Sequence, residues 1–247
     1  MAAVTRISGI FSVILAVVLP LAGIIVVQAM PAMAPWHQWC VSVLALVGAV
    51  YALVKAGAES RAPFFVAYLA VAFYSILWWY IARRGGLTQT GIAYAGSVAL
   101  VIGGILFAWD RLRIRYGNLA LDSIGGLAQP MPKFALTLAL VVMAGIGLPP
   151  FGTALIFVDL FVDSGEVNVG TPVVLLIWFG LSWYMFTLMQ RLLFGPQRTD
   201  LRYQDLKPAE VAAFAGLLLV LIAFIVAPDA VFAKTADIGI HSIMELK

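Results

Sequence analysis

The stretch "MAGIGLPPFGTALIFVDLF", Met143–Phe161, is apolar enough to lie inside a membrane, yet it carries two adjacent prolines and, nine residues after Pro150, the carboxylate of Asp159. Pro149 removes a backbone donor, and its ring collides with the carbonyl four residues back. Pro150 does the same one step later and pushes Pro149 out of the helical region. Gly145, Gly147 and Gly152 loosen the flanks. The stretch therefore predicts a helix that stops near Leu148 and restarts near Thr153. Non-helical backbone at membrane depth persists only when buried in protein or lining a wet cavity. Discontinuous helices of this kind build ion sites in transporters. A kinked helix with no transport role is the other reading of the same residues.

The surrounding composition fixes the class. Of 247 residues, 63% are hydrophobic and only 11% charged, too little polar surface for a soluble domain of this size. Several apolar runs reach the ~20 residues needed to cross a bilayer as helix. They are continuous rather than alternating, which disfavours a β-barrel. The expected fold is all-α and integral to the membrane, a single membrane domain over residues 1–247. The net charge of +3 is spread over loops and reads as topology, so no nucleic-acid partner is expected. Cys40 is the single cysteine, which rules out an internal disulfide and a Cys-based zinc site. The segment Thr5–Ala29 is too long in its apolar core for a secretory signal and reads as a retained span.

Seven spans are predicted: Ile7–Met30, His37–Lys55, Pro63–Ala82, Gly91–Trp109, Lys133–Val162, Thr171–Phe194 and Pro208–Ala227. The fifth would stretch ~45 Å at ~1.5 Å per residue, well beyond the hydrocarbon core. It is either two short spans or one interrupted span. Charge placement arbitrates, because basic loops stay cytoplasmic. With one crossing, one side holds Arg6, Lys55, Arg61, Arg111, Arg113, Arg115, Lys133, Arg191, Arg198, Arg202 and Lys207; the other holds Arg83, Arg84, Lys234 and Lys247. That split, eleven against four, becomes nine against six if the fifth element crosses twice. One crossing fits better, with a cytoplasmic amino terminus and an external carboxyl terminus.

The segment "SIGGLAQPMPKFALTLALVVMAGIGLPPFG", Ser123–Gly152, resembles the antiporter-like membrane subunits of respiratory complex I and of Mrp-type cation/proton antiporters. In that family a "GGL…MP" segment leads into a broken helix with a "G-L/I-P-P/G" centre. "WYMFTLMQRLLFGP", Trp183–Pro196, resembles the next helix, and "DLKPAEVAAFAGLLLVLIAFIVAPDAVF", Asp205–Phe232, the last one. "AGSVALVIGGILFAWDRLRIR" is loosely similar to the helix before the motif. The resemblance covers about Tyr94 to Phe232. Full-length members have about fourteen spans in two inverted repeats, so this chain looks like a half-length relative matching the second repeat.

The resemblance implies a bacterial inner-membrane subunit with membrane partners, foremost a longer antiporter-like protein, together with lipid and a soluble or peripheral cytoplasmic subunit. The complexes it points to are complex I-like oxidoreductases, membrane hydrogenases, Mrp-type antiporters and assemblies that energise bicarbonate accumulation. In relatives a central chain of Lys, Glu and His is thought to carry protons. Here Phe157 falls at the usual Lys/Glu position and Ala95 near the usual His. Asp159 is the remaining candidate for the ion pathway, since an intramembrane acid suggests function; if the restarted half-helix is short, it lies instead in water at the outer interface with Asp163 and Glu166. Lys133 and Arg191 are possible entrance charges, or else a snorkelling anchor and an interfacial topology charge. His37 between Trp36 and Trp39 reads as an aromatic belt rather than a metal site, and "YSILWWYIARR", Tyr74–Arg84, as interfacial anchoring. Gly96, Gly103 and Gly104 suit close helix packing. The arginines of "WDRLRIRYGNLALDSIGG" suit lipid headgroups or a soluble partner. No phosphate loop, dinucleotide fingerprint, nucleophile constellation or metal-ligand cluster appears, so no cofactor, metal or catalytic chemistry is expected in this chain. Two functions stand: an ion-translocating subunit, or a non-conducting assembly subunit that packs on a longer relative.

Overall fold

The computed structural model describes residues 35–117, 121, 124–154, 170–195 and 203–226, with residues 22, 23 and 26. The predicted span Ile7–Met30 lies almost wholly outside the described residues, as do Phe157, Asp159, Asp163, Glu166 and His241. Six helices are described, and no strand among the described residues: α1 Pro35–Ala58, α2 Ala62–Arg84, α3 Gln89–Tyr116, α4 Pro132–Ile146, α5 Gly170–Phe194 and α6 Pro208–Val226. α1, α2, α3 and α5 are long and apolar enough to cross a membrane; α4 and α6 are shorter apolar helices. The protein is an all-helical integral membrane protein.

The second, third, sixth and seventh expected spans agree with α1, α2, α5 and α6 within a few residues. The expected Lys133–Val162 is described as helix only over Pro132–Ile146 before the turn at 147–151, and the fourth differs at the carboxyl end of α3. There the helix runs past Trp109 to Tyr116. The extension is polar and held by charge: Asp110 is buried and bonds Arg111 at 3.0 Å and Arg113 at 3.3 Å. A hydropathy window ends where the apolar run ends, whereas the helix continues for as long as its turns find partners.

α3 is the buried centre, packed on α2, α4 and α6. α1 buries only alanines, Ala45, Ala49, Ala52 and Ala56, a helical stripe that lets its backbone approach α2 closely. Gly104 does the same for α3: a methyl group placed on it would lie 3.1 Å from Leu217 of α6 and 3.2 Å from Val141 of α4. Trp36 and Trp39 stand exposed at the start of α1, as an interfacial belt requires.

The basic loops meet at one end of the bundle. Leu121 N–H bonds the Ser60 carbonyl, Arg115 bonds the carbonyls of Gln204 and Asp205, and Leu127 and Ala128 bond the carbonyls of Leu192 and Leu193. Lys55, Arg61, Arg111–Arg115, Lys133, Arg191 and Lys207 belong to these segments. At the α1–α2 turn, hydrogen bonds from Arg61 hold the Glu59 carboxyl below the usual carboxylate range. At the opposite end Arg83 bonds the Thr171 hydroxyl at 3.3 Å, tying the end of α2 to the start of α5.

Candidate functional site

The end of α4 is built first by glycine. α4 stops at Gly147, whose φ of 84° and ψ of 37° lie in the left-handed region that side-chain-bearing residues avoid. Gly147 N–H reaches the Ala144 carbonyl and Leu148 N–H reaches Met143, both at 3.2 Å, which is the reciprocal Schellman closure of a helix end. Two side chains add bonds to the terminal carbonyls. Trp178 of α5 donates its indole N–H to Ile146 at 3.0 Å, and Thr153 donates its hydroxyl to Ala144. Pro149 and Pro150 form an exposed turn. Phe151 folds back into the core, and residues 152–154 are helical and buried, Gly152 among them. The stop of α4 thus falls where the proline pair and the glycines predict it. Beside the turn an apolar groove of about 730 Å³ runs between Gly147, Leu148 and the α5 residues Leu175, Trp178 and Phe179.

Across from the break, α3 carries the position where the resemblance expects a histidine. Ala95 there is completely buried. Its neighbour Tyr94, also buried, donates its hydroxyl to the Phe73 carbonyl of α2 at 3.2 Å. Ser97, one turn on, is fully buried.

The entrance charges sit at the other end of α4. The Lys133 side chain is exposed, but its backbone N–H donates to the Asp205 carboxylate at 3.0 Å, and Phe134 N–H does so at 3.1 Å. Met131, the residue before the helix, offers no side-chain cap, and Pro132 has no N–H to satisfy. Asp205, brought from the α5–α6 connection, therefore caps α4 across the fold and also accepts Leu206 N–H at 2.8 Å. The same connection is clamped to α3: Arg115 pairs with Glu210, and Glu210 accepts the Lys207 N–H at 2.9 Å. Arg191 is exposed, and its carbonyl lies against Gly125, where a methyl group would come within 2.9 Å of it. The structure thus assembles Lys133, Asp205, Arg115 and Glu210 at the entry of α4. Helix-end rules point to one of these partners from sequence: Pro208 and Glu210 mark a helix start. Nothing local marks Asp205 as the cap of a helix so far back in the chain.

No protein-family model matches the chain. Curated relatives do. NAD(P)H-quinone oxidoreductase chain 4 of Acaryochloris marina is 25% identical over 193 residues, which are 73% of this chain and 36% of that protein. The Nostoc chain 4 protein is 27% identical over 230 residues, 83% of this chain and 42% of that protein. The chloroplastic chain 4 of Cucumis sativus is 23% identical over 223 residues, 82% of this chain and 43% of that protein. This chain spans about two fifths of the length of these relatives. Among solved structures, respiratory complex I from Thermus thermophilus with bound NADH aligns at a TM-score of 0.66 and 23% identity, covering 78% of this chain and 41% of that one. The Mrp complex from Dietzia aligns at 0.65 and 17% identity, covering 80% and 46%. The likeness to antiporter-like subunits read from the motif pair is therefore present in sequence and in fold.

Proposed function

We propose that the chain is one membrane subunit of a multi-subunit proton- or cation-translocating complex, in which a single discontinuous span, broken at Pro149-Pro150, carries Asp159 as its ion-handling group. The observation that carries this reading is the short, capped α4. At 15 residues it rises only ~22 Å, less than the ~30 Å hydrocarbon core, before it closes at Gly147. α5 begins at the end of the bundle opposite to the start of α4 and returns to it. On this reading the segment between them completes one crossing with the break at bilayer depth, and basic loops kept on the cytoplasmic side give a cytoplasmic amino terminus and an external carboxyl terminus. The relatives add the company: each is more than twice as long as the part matched here. A longer antiporter-like protein is the partner that would cover the apolar groove and the exposed Leu176, Phe179 and Trp183 of α5. The assembly could drive quinone-linked electron transfer, cation exchange or bicarbonate uptake.

The test is Asp159→Asn in the gently purified, reconstituted complex. Cation-coupled activity is expected to vanish while assembly persists; unchanged activity with the subunit present refutes the assignment. A second reading, a non-conducting assembly subunit, is favoured by one observation: the helix facing the break offers the buried Ala95 where relatives place an ionisable ring. Under it, deletion of the chain lowers partner abundance, and normal partner levels would exclude a scaffold role.

A further inference from the structure

Ser97 is fully buried, yet its hydroxyl has no hydrogen-bond partner in the protein. Its place follows from the packing of α3 on α4. These helices are antiparallel: Gly104 sits against Val141, and Val101 lies 3.0 Å from where a methyl group on Gly145 would be. Residues 97, 101 and 104 share one helical face. Ser97 is therefore one turn beyond Val101, which brings it level with the non-helical turn that follows Gly147. The chemistry of that turn is one-sided. Its only N–H groups, those of Gly147, Leu148 and Phe151, are already spent on the carbonyls of Ala144, Met143 and Leu148. Pro149 and Pro150 have none. The seam between α3 and the turn thus offers acceptors and a hydroxyl, with no backbone donor to spare. On the α2 side the Tyr74 hydroxyl, also shielded, is likewise unpartnered. The α2–α3 register, fixed by Tyr94 on Phe73 and by Gly91 against Leu77 and Tyr80, puts Tyr74 within about a turn of the level of Ser97.

We propose that the fold binds an ordered water molecule between Ser97 and the 147–151 turn. A water donates two hydrogen bonds and accepts from a hydroxyl, which is the complement this seam lacks. Neither the described part of the break nor the α3 segment opposite it, residues 134–154 and 90–109, carries a carboxylate, amine or imidazole. The water supplies a group that can take and pass hydrogen bonds where the chain supplies none. The inference stands on Ser97 and the turn, independently of Asp159.

Radiolytic hydroxyl labelling of the full chain in lipid nanodiscs tests it. Met185 is the reporter: it is completely buried, and its sulfur lies 3.6 Å from the same methyl position on Gly145. Radiolysis of a bound water releases hydroxyl radicals that react within a few ångströms, so a buried thioether labels most strongly beside such a water. Met185 is expected to label in the wild type and in Ser97→Thr, and several-fold less in Ser97→Ala and in the isosteric Ser97→Cys. An unlabelled wild-type Met185, or equal labelling in all four proteins, overturns the proposal. The readout needs no transport activity, so its failure leaves the Asp159 experiment standing, and the reverse holds equally.

Discussion

Asp205→Ala is the most informative single substitution at the entry of α4. The carboxylate accepts three backbone N–H groups, those of Lys133, Phe134 and Leu206, at 3.0, 3.1 and 2.8 Å. Two of them are orphan donors of a helix whose first residue is proline and whose preceding residue offers no cap. Loss of an N-cap costs about 1 kcal/mol, and a negative charge at a helix amino end contributes a further 0.3–1 kcal/mol or so. The third bond and partial burial bring the expected loss to about 2 kcal/mol, roughly a thirty-fold change in the folding equilibrium. Asp205→Asn keeps one acceptor oxygen and gives up the bond to Lys133, so about half that loss is expected. Lys207→Ala removes an exposed side chain next door and serves as the control, within about 0.5 kcal/mol of wild type. Equilibrium unfolding in mixed micelles, followed by tryptophan fluorescence, gives all three values. An Asp205→Ala protein as stable as the Lys207→Ala control would show that the cross-fold cap does not hold α4, and would remove the explanation for how the α5–α6 connection is attached.

Gly125→Ala is expected to destabilise by roughly 1–3 kcal/mol in the same assay, because its methyl would meet backbone atoms of Arg191 and Gly195 at 2.9 Å, and backbone cannot swing aside as a side chain can. Gly147→Ala should cost about 1–2 kcal/mol by forcing a side-chain residue into the left-handed region, with the loss visible as faster amide exchange at Leu148. Trp178→Phe keeps the ring contact and drops the bond to Ile146, an expected loss of about 1 kcal/mol. Arg115→Ala leaves Glu210 with Arg111 at 3.7 Å and the Lys207 N–H and frees two carbonyls, so a loss of about 1–2 kcal/mol is expected, with little rescue from Arg115→Lys because one ammonium cannot span all three acceptors.

The first glycine of the motif makes plain why the "GGLAQPMP" segment has its composition. Leu127 and Ala128 donate to the last carbonyls of α5, which no helical residue can satisfy, and Gly125 must lie flat against Gly195 for them to arrive. The motif was legible as a string of residues. Its job, closing the end of a helix that begins about 45 residues later, was not.

Composition and the long apolar runs alone determined an all-helical membrane protein, because a backbone without water must satisfy itself within each segment. Proline and glycine chemistry alone located the stop of α4 and the turn that follows, since both act through the local backbone. Lysine and arginine positions grouped the loops that the structure brings together at one end. What only the tertiary structure decided depends on groups distant in sequence. Asp205 caps α4, Arg115 and Glu210 clamp α3 to α6, and the Ser97 hydroxyl is buried without a protein partner. Local periodicity carries the preference of each residue for its own segment; it carries nothing about which loop end will arrive beside which helix end, and that arrival is what makes a carboxylate a cap and a buried serine a site for water.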